Sequence, residues 1–164
     1  MYANLTDTSE VVEIDAKTAT VARRWSTAPC KQPVAMAIDT AHHRLFSGCR
    51  SGVMAVSDYQ AGKVVATVPI GAGVDGAGFD PASGDAFASN ADGTLTVIHQ
   101  DAPDQYHVVE TVADAAGRRA TWGSIPRITA SSSSVTLAGS PAAEAGDLCC
   151  RIALMVIERD PAAR

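Results

Sequence analysis

The chain has no excess of positive charge. Its 164 residues hold 13 Lys and Arg against 18 Asp and Glu, a formal net charge of -5 with a pI near 5.2. A surface built to neutralise phosphates needs the opposite balance, so neither a nucleic-acid nor an anionic-membrane footprint is expected. Long apolar runs are missing too. None approaches the roughly 20 residues of a membrane-spanning helix, so no membrane span is expected. The start, Met1-Tyr2-Ala3-Asn4-Leu5, reads as a strand, without the basic-then-apolar order of a signal peptide.

Signatures of catalysis are equally scarce. Ser26 and Ser57 lie in no GxSxG elbow. Gly71-Ala72-Gly73-Val74-Asp75-Gly76 fits neither the dinucleotide fingerprint nor the P-loop, and strand patterning rather than helix follows it. Four cysteines, Cys30, Cys49, Cys149 and Cys150, show no CxxC spacing, which excludes a zinc knuckle or a thioredoxin-type motif. His42 and His43 are chain neighbours that point different ways from a turn, and they read as a solvated connection rather than a ligand pair. His99 and His107 stand alone and read as strand residues. No catalytic, cofactor-binding or metal-binding residue is assigned, and no cofactor is expected.

No segment keeps a 3.6-residue period over three turns. Alternation of period two dominates residues 1–112 instead, in short runs divided by turn chemistry. The runs are Tyr2–Leu5, Glu10–Asp15, Thr20–Ser26, Val34–Ile38, Arg44–Gly48, Val53–Ser57, Lys63–Pro69, Val74–Phe79, Asp85–Ser89, Thr94–His99 and Tyr106–Val112. Between them stand sequences such as Asp15-Ala16-Lys17-Thr18, Gln60-Ala61-Gly62, Pro81-Ala82-Ser83-Gly84 and Ala91-Asp92-Gly93. Asp15, Asp39, Asp80 and Asp92 fall at strand ends or turns, where a carboxylate caps nearby N–H groups. The chain is all-β.

The runs recur. An aromatic strand start stands at Tyr2, Phe46 and Phe87, each followed by a second and a third strand, with a fourth (Met36–Asp39, then Gly78–Pro81) before the next aromatic. Four strands in roughly 40–45 residues is the requirement of one β-propeller blade, and such blades bury their faces only by stacking. The fold expected for residues 1–112 is therefore a partial β-propeller of four-stranded antiparallel blades, about three repeats long.

The wording of these repeats is similar to the YVTN/YncE-like β-propeller family. The likeness is carried by Asn4–Asp15, Ala35–Phe46, Gly62–Gly71 and Asn90–Val97. It implies a seven-bladed ring of which this chain supplies part, and a periplasmic or extracellular address. A cytoplasmic one is expected if Met1 is the true start. Some relatives have been linked to DNA, which the charge balance here opposes. In a propeller, Cys30 after the third strand and Cys49 at the end of the next aromatic strand become neighbours at one face. A Cys30–Cys49 disulfide is the expectation in an oxidising compartment, with two separate buried thiols as the alternative.

Residues 113–164 differ in kind. They carry 6 Arg, no Lys and 5 acidic residues, where residues 1–112 carry 7 basic and 13 acidic. The repeat stops where a fourth strand is due, and Ser131-Ser132-Ser133-Ser134 appears instead. Read one base out of frame, TCN serine codons become NTC, which encodes only Phe, Leu, Ile or Val. A displaced frame from Ala120 then places Met, Asp, His and Phe in line with Met36, Asp39, His43 and Phe46. The tail is expected to be irregular and out of frame over 120–136, with a closing strand at 152–158. Two functions are compatible with all this. One is a non-catalytic binding or scaffold propeller for a protein, peptide or other polymer, able to self-associate through open blade edges. The other is the propeller part of an exported enzyme or cofactor protein whose site lies in other blades.

Overall fold

The computed structural model describes residues 1–113, and these are all-β. Alternating apolar residues bounded by Asp- and Gly-containing turns give eleven strands in this stretch: β1 (Tyr2–Leu5), β2 (Glu10–Asp15), β3 (Thr20–Ser26), β4 (Pro33–Asp39), β5 (Arg44–Cys49), β6 (Val53–Asp58), β7 (Lys63–Pro69), β8 (Val74–Asp80), β9 (Asp85–Asn90), β10 (Thr94–Ala102) and β11 (Gln105–Ala113). The expected out-of-frame stretch, the closing strand at 152–158 and Cys149-Cys150 lie outside the described residues.

The strands form three antiparallel sheets in simple meander order: β1-β2-β3, β4-β5-β6-β7 and β8-β9-β10-β11. The sheet boundaries differ by one strand from the sequence grouping. Met36–Asp39, read as the fourth strand of the first repeat, belongs to β4 and pairs with β5 as the first strand of the next sheet, Ala37 opposite Phe46. Chain connection explains this. The four-residue turn 40–43 holds β4 against β5, whereas the longer 27–32 connection lets the chain leave the first sheet. The aromatic column is real in register. Tyr2, Phe46 and Phe87 face Glu13, Val56 and Val97, each four residues past a left-handed turn residue.

Those left-handed residues mark the repeat. Ser9, Gly52 and Gly93 occupy the same place in successive hairpins with φ of 55°, 78° and 85°. Ala19 (54°) recurs as Gly62, Gln32 (56°) as Gly73, and His43 (60°) as Gly84. The hydrogen bonds recur with them. The Thr27 amide donates to Ser9 O at 2.9 Å and the Ile70 amide to Gly52 O at 3.0 Å; the Arg50 amide donates to Gln32 O and the Ala91 amide to Gly73 O, both at 3.1 Å. A non-glycine residue in this region costs on the order of 1 kcal/mol, so the first repeat carries strain that the second relieves with glycine.

Within each pair of neighbouring sheets the first strands lie closer than the last: β4 meets β8 more extensively than β7 meets β11, and β1 meets β4 more extensively than β3 meets β7. That wedge is the geometry of propeller blades. Phe46, Met54, Val56, Ala88 and Ile98 are fully buried between the second and third sheets, where Phe46 stacks on Phe79 (centroids 5.0 Å) and meets Tyr106 edge-on (5.7 Å). Val11, Trp25 and Leu45 fill the space between the first and second. Burying side chains of this size contributes roughly 1.5–3 kcal/mol each, and only stacking makes that burial available.

Candidate interaction surface

Antiparallel pairing collects the turns at two ends. Turns 16–19, 40–43, 59–62, 81–84 and 103–104 share one end; turns 6–9, 50–52 and 91–93 share the other with the inter-sheet connections 27–32 and 70–73. Four of the turn carboxylates act as the sequence implies. Asp15 accepts from the Lys17 amide (2.8 Å), Asp39 from Ala41 (2.9 Å), Asp80 from Ala82 (2.9 Å) and Asp92 from Thr94 (3.0 Å).

At the first end, arginines cross from sheet to sheet. Arg44 opens β5 and is 8% exposed. Its guanidinium donates to Pro103 O (2.9 Å) and His42 O (2.8 Å) and pairs with Asp104 (2.7 Å) and Asp58 (3.2 Å). Those partners reach it from the second sheet and from the 103–104 turn of the third. A charge this buried is tolerable only when every donor is met, so the site locks two blades in register. Arg23 on β3 does the same between the first two sheets. It pairs with Glu13 (2.8 Å), donates to Gln60 O (2.7 Å) and Tyr59 O, and lies 5.4 Å above the Trp25 ring.

Asp39 is a further bridge. Only 2% exposed, it accepts from the Ala41 amide, from His42 Nδ1 (2.7 Å) and from Gln100 Nε2 of the third sheet (3.3 Å), and Gln100 also reaches the Tyr106 hydroxyl (3.0 Å). Burial alone would raise its pKa; the bonds from the His42 ring and amide, Gln100 and Ala41 outweigh that and hold it below the usual carboxylate range. Amides of Ala61 and Gln60, with Arg44 nearby, likewise lower Asp58 against its own desolvation.

All four histidines sit at this end, and each ring is bonded. His42 and His43 occupy the 40–43 turn as expected, His42 on Asp39 and His43 on the Tyr59 hydroxyl (2.9 Å). His99 and His107 are not alone. They face each other directly across β10 and β11, with rings 5.7 Å apart. The tight 103–104 turn, which Pro103-Asp104 marks in the sequence, starts the hairpin with Ala102 opposite Gln105, and a one-residue irregularity between Gln100 and Ala102 then shifts the register and brings His99 opposite His107. The cross-sheet roles of Arg44 and Arg23 had no comparable local signal.

The opposite end holds the cysteines. Cys30 and Cys49 are fully buried and joined as a disulfide, with Cα atoms 5.6 Å apart, packed on Ala55. Asn4 and Thr6 donate across to Ala35 O and Pro33 O, both at 2.9 Å, and tie the first sheet to β4. Gly71–Gly76 is the connection into β8 and the start of that strand. Among the described residues no cluster of three or more His, Cys, Asp or Glu is arranged to hold a metal, and no helix is long and apolar enough to cross a membrane.

These features define a partial β-propeller. No protein-family model matches the chain, and no curated protein matches it in sequence. Solved structures do. The chain is similar to hydrazine synthase of Kuenenia stuttgartiensis, with a TM-score of 0.62 at 18% identity over 70% of this chain and 32% of that one. It is similar to U3-55K (TM-score 0.55, 18% identity, 69% of this chain and 35% of that one) and to the RRP9 WD40 repeats (0.55, 18%, 69% and 34%). The likeness spans about a third of the length of each of these chains.

Proposed function

We propose that the chain is a non-catalytic propeller module of YncE-like type that binds a protein or peptide through the arginine-bridged turn end. The observation that carries this reading is the linkage of neighbouring blades by Arg44 and Arg23. It holds turns from separate sheets in one fixed polar surface, with His42, His43 and Asp104 at its rim. Binding is cheapest when the surface is already ordered, and these bridges do that ordering. The propeller-type neighbours support a binding role, one similar structure being a chain of the mitotic checkpoint complex (TM-score 0.55, 16% identity). The repeat wording supports the YncE-like assignment. The Cys30–Cys49 bond supports a periplasmic or extracellular address, where such bonds persist. β1 is the edge of its sheet among the described residues, and self-association through that edge belongs to the same proposal.

The test is a peptide-array screen with the full chain, followed by substitution. Asp104→Ala and His42→Ala should weaken a hit at least fivefold, while Asp7→Ala and Asp92→Ala at the other end leave it unchanged. The reverse pattern would move the site to the disulfide end. Turnover of a substrate by the purified chain would replace the reading with the enzymatic one.

A further inference from the structure

We infer that His99 and His107 form a two-nitrogen site for a divalent transition-metal ion across the β10–β11 hairpin. The two residues are directly opposed in register, so their rings rise from the same face of the sheet. Each ring is held at Nδ1 by its own carboxylate, His99 by Asp85 at 2.8 Å and His107 by Asp101 at 2.6 Å. An ionised carboxylate only accepts, so each Nδ1 carries the hydrogen and each neutral ring keeps its lone pair on Nε2. That is the arrangement in which a second carboxylate shell orients a histidine toward a metal and makes it more basic. Among the described residues neither Nε2 has a hydrogen-bond partner.

The ring spacing fits a shared ion. With a metal–nitrogen bond of about 2.0–2.1 Å, each ring centroid lies roughly 3.2 Å from the ion, and a tetrahedral angle then separates the centroids by about 5.2 Å. The observed 5.7 Å is half an ångström wider. The ring planes stand 65° apart, so binding an ion turns both Nε2 atoms toward it as the centroids close that half ångström. Side-chain exposures of 33% for His99 and 54% for His107 leave room for an ion with its remaining waters, and the paired carboxylates supply negative potential beside it. Two imidazoles without a third protein ligand suit Zn²⁺, Ni²⁺ or Cu²⁺ held in a labile way, with open positions for water or for a donor from another molecule. His42 and His43 serve as an internal contrast, since they are neighbours in one turn rather than opposed across a hairpin, and His43 is bonded to the Tyr59 hydroxyl instead of a carboxylate.

The experiment uses the full chain with Cys149→Ser and Cys150→Ser, so that thiols do not compete for the ion. Zn²⁺ is titrated near pH 7.5 and followed by calorimetry and by the ring-proton resonances of the histidines. His99 and His107 should respond together and saturate at one equivalent, while His42 and His43 stay still. His107→Gln, at the exposed member, should cut affinity at least tenfold, and Asp101→Asn roughly tenfold through loss of the orienting bond. His43→Gln should change nothing. Two independent equivalents, an unchanged affinity in His107→Gln, or an equal response from His42 and His43 would each overturn the site.

Discussion

The passage from one blade to the next is made twice in the described chain, and the two passages are fastened by different chemistry. In the first, Cys30 of the 27–32 connection is bonded to Cys49 at the end of β5. In the second, the residues 41 positions later are Gly71 and Asn90. Asn90 is fully buried, and its amide nitrogen donates to Ala88 O (3.2 Å), Thr94 Oγ1 (3.1 Å) and Thr96 Oγ1 (3.1 Å). Gly71 lies against it so closely that a Cβ there would fall 2.6 Å from Asn90 Nδ2 and 2.4 Å from Thr94 Oγ1. One joint is covalent; the other is a polar plug that needs a bare backbone beside it and leaves Asn90 Oδ1 without a partner among the described residues. The same loop path is thus compatible with two unrelated fasteners, and the path is set by the blades rather than by either fastener.

Removing each fastener tests that conclusion. Cys30→Ser with Cys49→Ser should have the largest effect, a loss of about 3 kcal/mol for a loop of this length, read by urea unfolding under oxidising conditions. The strands should survive, with an unchanged far-UV spectrum below the transition. Gly71→Ala should cost roughly 1–3 kcal/mol, because an added methyl must displace Asn90 and Thr94. In an Asn90→Ala background the same substitution should cost less, and a double-mutant cycle with no coupling would show that the two residues do not form one joint.

Acid sharpens the contrast between the ends. Asp39 and Asp58 at the arginine-bridged end are both held below their ordinary pKa. A depressed folded-state pKa contributes stability that is present above the unfolded value, near 4, and is lost as pH falls through the folded value. Unfolding free energy should therefore decline below about pH 5, and Asp39→Asn should flatten that decline. Asp92, at the other end, is also lowered: the Thr94 hydroxyl and the amides of Ala72 and Thr94 outweigh its desolvation. Asp92→Asn should remove only its own share and leave the Asp39 share intact. The smallest expected effect is a gain. Ala19→Gly, at φ 54° where the next repeat has Gly62, should stabilise by about 0.5–1 kcal/mol in thermal unfolding.

The eleven strands were legible because period-two alternation and Asp- or Gly-bearing turns are local signals. Where strand ends differ, as at Thr94–Ala102 against the Thr94–His99 expected, hairpin pairing prolongs the strand past its apolar stretch, with Ala102 opposite Gln105. Sheet membership was not local. Nothing within Met36–Asp39 says whether it closes one blade or opens the next; the pairing with Phe46 and Leu45 does. The bridging arginines were illegible for the same reason, since Arg44 meets Asp104 some sixty residues away.

The four recurring left-handed positions bear on how the repeats descend from one another. At 9, 19, 32 and 43 the residues are Ser, Ala, Gln and His, yet the backbone turns as it does at the glycines that follow in the next copy. Once a blade has been duplicated, side chains at these points are free to drift while the torsion angle is not, because the hairpin turn or inter-sheet connection at each point closes only through that angle. What the copies inherit is a conformation, not a spelling. The fold of this chain is likewise shared with solved structures only 18% identical to it.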